Sequence, residues 1–418
     1  MKAKDLDTAY INFDPVQPLP SDSEFYVKRK YNPLEQIKRD LLRSNIYQPK
    51  FLFSGHRGSG KSTELNKLIA YPEIQEKYFT VQYSVRDVLD TAGLDYTDLL
   101  VSIGAQIFIK ADKAKLKMRD KLLDQLNGWK SSIEIEKEKG LTIGGEAGAN
   151  AGLANFFTQL LLKLKLEYVT RQKIRETISG RISELMDIID LITIEVELIT
   201  GKKVLVIIDD LDKPDLKIAS EIFYKMHPWL IQPKCGIIYT VPIALHYSSD
   251  FGQVKSAFTE NYVLPNITIN KYEDRKPNEE GYVIMREFVQ KRMSLGLIKE
   301  DALEHAIAMS GGVFREMARL IRKSADSAVA RGDEVIEKSD VEDAENEIRN
   351  EFRRMLTIED YKTLIEIYER RELRGSNICS PLLHNLSIIE YRNKFNWCDV
   401  HPAIIPLLEP QQPQVFLA

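Results

Sequence analysis

The chain alternates between short apolar runs and longer amphipathic stretches, the pattern of buried strands separated by helices. From Asn32 the run PLEQIKRDLLRSN has helical periodicity and leads into residues 50–53 (KFLF), an apolar stretch too brief for a helix. A turn and a second helix follow, LNKLIAYPEI, broken by Pro72. Residues 79–85 (FTVQYSV) are strand-like, and 204–208 (VLVII) form the continuous apolar run of a strand covered on both faces. Residues 236–241 (GIIYTV) and 263–269 (VLPNITI) are two further strand candidates. This alternation predicts an α/β core with a mostly parallel sheet.

Around that core the pattern changes. Residues 1–24, punctuated by proline and aspartate, predict an extended arm, and the core then runs over 25–270. At about 111–200 an insertion interrupts it, opening on a lysine-studded helix (ADKAKLKMRDKLLDQL). Lys110, Lys113, Lys117 and Lys121 fall on one side of that helix, by default a solvated face, with nucleic acid or an acidic partner as the alternative. SIEIEKEKGLTI predicts a hairpin, with Ile133 and Ile135 before a charged turn and Leu141 and Ile143 after it. The small-residue stretch GGEAGANAGLANFF then precedes one or two long helices ending at Leu198. Residues 271–348 predict a bundle of amphipathic helices, the fourth capped around Ser339 and Asp340. Residues 349–418 give a helix, a second helix leading to IIEY, a turn, a return through FNWCDV and a helix after Pro402. That is the order of a winged helix.

Composition narrows the class without naming a function. The chain has 418 residues, 44% hydrophobic and 29% charged, which excludes a disordered or collagen-like polymer. A net charge of -4 supplies no global positive field for nucleic acid or anionic membrane. Three cysteines, odd in number and far apart, predict reduced thiols in a cytoplasm. The first residues lack the apolar core of a signal peptide, and no window is long enough to span a bilayer. The expectation is a soluble, cytoplasmic protein.

The candidate chemistry lies in two places. SGHRGSGKSTEL contains G-x-x-x-x-G-K-S as Gly55, Gly60, Lys61 and Ser62, between a strand and a helix. Glycines let the backbone turn its amides toward phosphate oxygens, Lys61 adds charge to the β- and γ-phosphates, and Ser62 ligates Mg²⁺. The candidate ATP contacts are thus Gly55, His56, Arg57, Gly58, Ser59, Gly60, Lys61, Ser62 and Thr63. The second place is VLVIIDDLD, where carboxylates end a buried strand at the edge where α/β sheets bind ligands. Asp209 is the candidate Mg²⁺ ligand and Asp210 the general base, while Asp212 predicts a cap for the next helix.

With both motifs in hand, the chain resembles P-loop ATPases of the AAA+ and STAND type, in particular the Orc/Cdc6-like branch, over roughly residues 25–410. The resemblance implies a P-loop NTPase parallel sheet with a helical insertion, a helical lid domain and a C-terminal winged-helix-like domain. By that likeness GIIYTVP is the sensor-1 strand, with Thr240 watching the γ-phosphate. SGGVFREMARL is the sensor-2 helix, from which Arg315 reaches the phosphates. Asp210 departs from the glutamate usual in AAA+ members, and an Asp-Asp pair looks more like STAND and KAP proteins. No arginine finger stands before the fifth strand, where Lys255 is the one cation and Arg275 a weak substitute. A finger is worth about 10³–10⁵ in rate, so slow hydrolysis and a switch are expected.

The resemblance leaves several outputs open. One is an ATP-driven switch acting on a separate effector or on its own assembly, with bacterial stress or antiviral defence as the implied setting. A second is an Orc/Cdc6-like initiator or loader that holds DNA through residues 349–418, and a third an idle nucleotide-dependent scaffold. From 346 to 418 there are 9 Lys/Arg against 10 Asp/Glu, and Arg370, Arg371 and Arg374 form the local basic cluster, which favours a protein partner over DNA. Cys398 and His401 are too few to predict a metal site.

Overall fold

The computed structural model describes residues 1–43, 48–133, 149–373 and 379–408. The arm opens with helix α1 (Leu6–Asn12), capped by the Asp5 carboxylate, which accepts from the Thr8 amide at 2.7 Å. Leu6, Ala9 and Phe13 bury in the lid's apolar core, so the arm is irregular only after this helix. An amphipathic turn with a partner to pack on outweighs the nearby prolines.

The core follows as α2 (Leu34–Arg43), β1 (Lys50–Gly55), α3 (Lys61–Ala70), α4 (Pro72–Lys77), β2 (Tyr78–Ser84) and α5 (Val85–Val88). The insertion contributes α6 (Tyr96–Lys113), α7 (Asp120–Ile133), α8 (Ala149–Leu166), α9 (Tyr168–Ser179) and α10 (Ile182–Thr200). The core resumes with β3 (Lys203–Asp209), α11 (Leu216–Ser220), α12 (His227–Leu230), β4 (Gly236–Pro242), α13 (Phe251–Ala257) and β5 (Glu260–Val263). All five strands are parallel, in the order β2-β3-β4-β1-β5. The three central strands are buried almost throughout, as their unbroken apolar runs require. β5 ends before Pro265, which lacks the N–H a ladder needs, so the strand expected at 263–269 is earlier and shorter.

The insertion corrects three expectations. Its lysine-rich helix breaks between Lys113 and Asp120, where Lys115 takes a left-handed φ of 57°. Lys117 falls in that break, so the four lysines do not share one helix face. Ile133 ends α7 instead of opening a hairpin; Ile135, Leu141, Ile143 and most of GGEAGANAG lie outside the described residues. Three helices, not one or two, reach Thr200. Their buried side chains join one face of the sheet in a single apolar core, with Trp129 stacked on Phe157.

The lid comprises α14 (Glu279–Arg292), α15 (Glu300–Met309), α16 (Phe314–Arg331) and α17 (Lys338–Met355). A capping box between Glu337 and Asp340 starts α17 slightly before the expected Ser339 cap. Gly312, at φ 71°, lets the turn before α16 approach the core: a Cβ there would sit 1.8 Å from the Ile267 carbonyl oxygen. α17 runs through 348–349 and lends Ile348 and Phe352 to the C-terminal core. That unit consists of α18 (Ile358–Arg370), α19 (Cys379–His384), the antiparallel pair β6 (Ile388–Arg392) and β7 (Asn396–Val400), and α20 (Ile405–Leu408). Among the described residues, no helix is long and apolar enough to cross a membrane.

Candidate functional site

β1 ends at Gly55 and α3 begins at Lys61, so the glycine-rich loop lies at the C-terminal edge of the sheet. Gly58 and Gly60 take left-handed φ values of 82° and 100°, which other residues adopt only under strain. No side chain caps α3, leaving the amides of its first turn open to an anion. The buried Lys61 ammonium donates to the Gly55 and His56 carbonyls at 2.9 and 3.0 Å. It also pairs with Asp212 at 2.9 Å, and Lys213 approaches the same carboxylate at 3.6 Å.

Asp212 is therefore not a helix cap. Asp215 caps α11 instead, accepting from the Lys217 amide at 2.7 Å. Asp210 explains the difference: at φ 63° it reverses the chain and sends Asp212, 2% exposed, back toward the loop. Aspartate tolerates that conformation better than most side chains. Burial alone would raise the Asp212 carboxyl, but the Lys61 and Lys213 ammoniums hold it well below the usual carboxylate range.

Asp209 lies in a different field. Burial pushes its carboxyl up, the Ser62 hydroxyl opposes that by donating to it, and the charges of Asp212 and Asp210 push further up. A buried carboxylate among like charges, beside a hydroxyl, is a hard-oxygen pair suited to Mg²⁺, and the two candidate ligands fit that ion. Asp210 accepts from the Ser84 hydroxyl at 2.7 Å, at the end of β2. The Thr240 hydroxyl donates to the Ile208 carbonyl at 3.2 Å and accepts from the Leu211 amide at 3.0 Å. Both bonds hold the aspartate turn.

The lid and arm close over the loop. The Arg315 amide donates to the Gly58 carbonyl at 3.3 Å, and a Cβ on Gly58 would meet that of Arg315 at 2.4 Å. The Arg315 guanidinium, expected to reach the phosphates, lines the cavity and donates to the Pro15 carbonyl at 3.2 Å. Further along the arm, the Leu19 amide donates to the Thr63 hydroxyl at 3.1 Å and Lys67 donates to the Ser21 carbonyl at 3.0 Å. Arg29, fully buried, braces the loop from behind: it donates to the Ser59 carbonyl at 2.6 Å and the Pro265 carbonyl at 2.9 Å, and pairs with Glu64. Arm, loop, lid and aspartates line an open cavity of about 1180 Å³.

The loop's outer face meets the C-terminal unit. His56 Nε2 accepts from the Glu390 amide at 2.8 Å, on β6. Arg57 donates to the Lys213 carbonyl at 2.9 Å and lies 2.5 Å from His384 Nε2, on α19. Burial, then the Lys61 charge, lowers His56 to about 3; burial, then Arg57, lowers His384 to about 4. Both rings are thus neutral. Arg275, the weak finger candidate, pairs with Asp399 at 2.9 Å, over Tyr368, tying the lid to β7 and α18. Arg371 ends α18 at φ 58°, whereas Arg374 lies outside the described residues. The bracing by Arg29 and Glu64, the ion pair of Asp212 and the arm's contacts are not legible in the sequence, because their partners are remote in the chain.

No protein-family model matches the chain, and no curated protein matches it in sequence. Among solved structures it is similar to the Orc1 protein of Aeropyrum pernix in complex with DNA, at 13% identity and a TM-score of 0.42, covering 96% of this chain and 95% of that one. It is also similar to the Orc2 protein of the same organism, at 12% identity and a TM-score of 0.44, over 92% and 94% of the two chains. A Walker-type ATPase of Pyrococcus abyssi is similar at 14% identity and a TM-score of 0.43, over 96% and 100%. These likenesses, all at low identity, are of fold alone.

Proposed function

We propose that the chain is an ATP-binding switch that hydrolyses ATP slowly and passes the state of its phosphate site to its C-terminal unit. The observation that carries this reading is the double use of one loop. Lys61 closes the anion site, while His56 and Arg57 hold β6 and α19. The triphosphate would lie over the first turn of α3, and Lys61 would exchange the Asp212 carboxylate for phosphate oxygens. Mg²⁺, held by Ser62 and Asp209, would neutralise charge on the phosphates. Asp210 takes the proton of the attacking water, Thr240 keeps the aspartate turn in register, and Arg315 couples arm and lid to the loop.

A DNA-loading role has the packing of α19 against it. Leu382 and Leu383 of this helix, which precedes the wing, share a core with Ile243 and Ala244 of the ATPase domain. The output thus goes to a separate effector protein or to assembly with further copies, in the cytoplasm, with bacterial stress or antiviral defence as the setting. Hydrogen exchange with ATP, with ADP and without nucleotide tests the switch. Protection of α19 and β6 should differ by about tenfold between the nucleotide states. Identical exchange in all three would overturn it.

A further inference from the structure

We propose that Arg86 is a catalytic arginine supplied in cis, which stabilises the charge that spreads over the γ-phosphoryl group in the transition state of hydrolysis. The inference rests on the ATPase reading and supplies a cation in place of a finger from a partner; NTPases with such an arginine in cis still turn over slowly. Of the positive side chains lining the cavity, most are already committed. Lys61 and Lys213 face Asp212, and Arg57 serves the Lys213 carbonyl and His384. Arg315 serves the Pro15 carbonyl, Arg29 braces the loop, and Arg292 donates to the Phe25 and Phe288 carbonyls. Among the described residues, only Arg86 and Lys110 line the cavity with no ion pair or side-chain hydrogen bond.

Position separates those two. Ser84 is the ladder partner of Asp209, so β2 delivers the start of α5 to the level of the aspartates, one strand spacing away. The Ser84 hydroxyl donates to Asp210 and accepts from the Arg86 amide at 3.2 Å, so one residue orients both the proposed base and the proposed arginine. The Arg86 side chain is exposed to the cavity. Arg57, lowered chiefly by burial, is lowered further by the charges of Arg315 and Arg86, which sets the Arg86 guanidinium within electrostatic reach of the loop. Lys110, by contrast, sits near the end of α6, on no element that follows directly from a strand of the sheet.

The insertion then acquires a role. Lys165, on α8, donates to the carbonyls of Arg86 and Asp87 at 2.9 and 2.7 Å. It pins the backbone of α5 while leaving the guanidinium free. In the reaction a water oxygen attacks the γ-phosphorus and its proton passes to the Asp210 carboxylate. The bond from phosphorus to the bridging oxygen breaks, and its electron pair leaves with ADP, giving ADP and phosphate. Charge builds on the three equatorial oxygens, and the planar fork of Arg86 can donate two N–H groups to them.

Steady-state hydrolysis and equilibrium nucleotide binding by the full chain test this. Arg86→Ala should lower kcat at least about 100-fold while the ATP Kd stays within about threefold. It should also lose tight binding of ADP–aluminium fluoride with ADP affinity unchanged, a split that a merely structural role would not produce. Arg86→Lys should recover less than about a tenth of kcat, because an ammonium lacks the fork. A kcat for Arg86→Ala within about threefold of the parent overturns the assignment and leaves the ATPase reading intact. A parent chain that binds ATP and never turns over overturns both.

Discussion

The two faces of the glycine-rich loop do opposite things with similar residues. On the inner face, Lys61 is buried as a charge, matched by Asp212 and two carbonyls. On the outer face, His56 is buried as a neutral ring that accepts one amide proton from β6. The inner face stores an ionic contact that a phosphate can replace. The outer face stores a packing contact that a small loop movement can break. One backbone carries both, so the contrast shows how an anion could be reported to a unit it never touches.

The largest effect is expected inside. Lys61→Met leaves Asp212 without its nearest cation, with Lys213 and Arg57 farther off, and should destabilise the fold by about 3 kcal/mol in urea denaturation. Adding Asp212→Leu should restore most of that loss, because the buried charge is gone. A single variant as stable as the parent would mean that the inner pair is not the stored contact.

His56→Ala should be milder and confined to the outer face. It leaves the Glu390 amide unpaired and should cost about 1–3 kcal/mol, visible as faster hydrogen exchange in β6 and α19. ATP affinity should change less than about threefold. Equal loss of protection across the central strands would erase the distinction between the faces.

Much of this was legible in the sequence, and the exceptions share a cause. Gly55, Lys61, Ser62 and Asp209 follow from consecutive residues whose spacing alone sets their geometry. The central strands follow from apolar runs such as 204–208. Asp212 does not, because the left-handed Asp210 turns it toward a lysine remote in sequence, which no periodicity records. His56 counts locally as a backbone contributor, and its ring finds a use only when β6 arrives. α1 forms in a proline-rich arm because Leu6 and Ala9 reach the lid. The lysine helix breaks at Lys115 although its spacing continues through 121.

The smallest and most graded effect is with pH. His56, His384 and His401 are lowered to about 3, 4 and 3, mainly by burial, and all three lie at or within the C-terminal unit. Their ordinary value is about 6.5, so between that and about 4 the unfolded chain binds more protons than the folded one. Stability therefore rises with pH in this window and is lost on acidification, by up to about 1.4 kcal/mol per pH unit for each ring. Exchange in α19, in β6 and around His246, which burial lowers likewise to about 4, should accelerate below about pH 6, before the strands respond. Uniform acceleration across both would remove the asymmetry.

Calorimetric titration of the full chain with ATP and magnesium tests the central claim most directly, with Asp209→Ala and Lys61→Met beside it. A single magnesium-dependent site of about micromolar Kd, weakened about 100-fold in each variant, is the predicted result. Absence of binding at millimolar ATP, or binding unchanged in both variants, would contradict it.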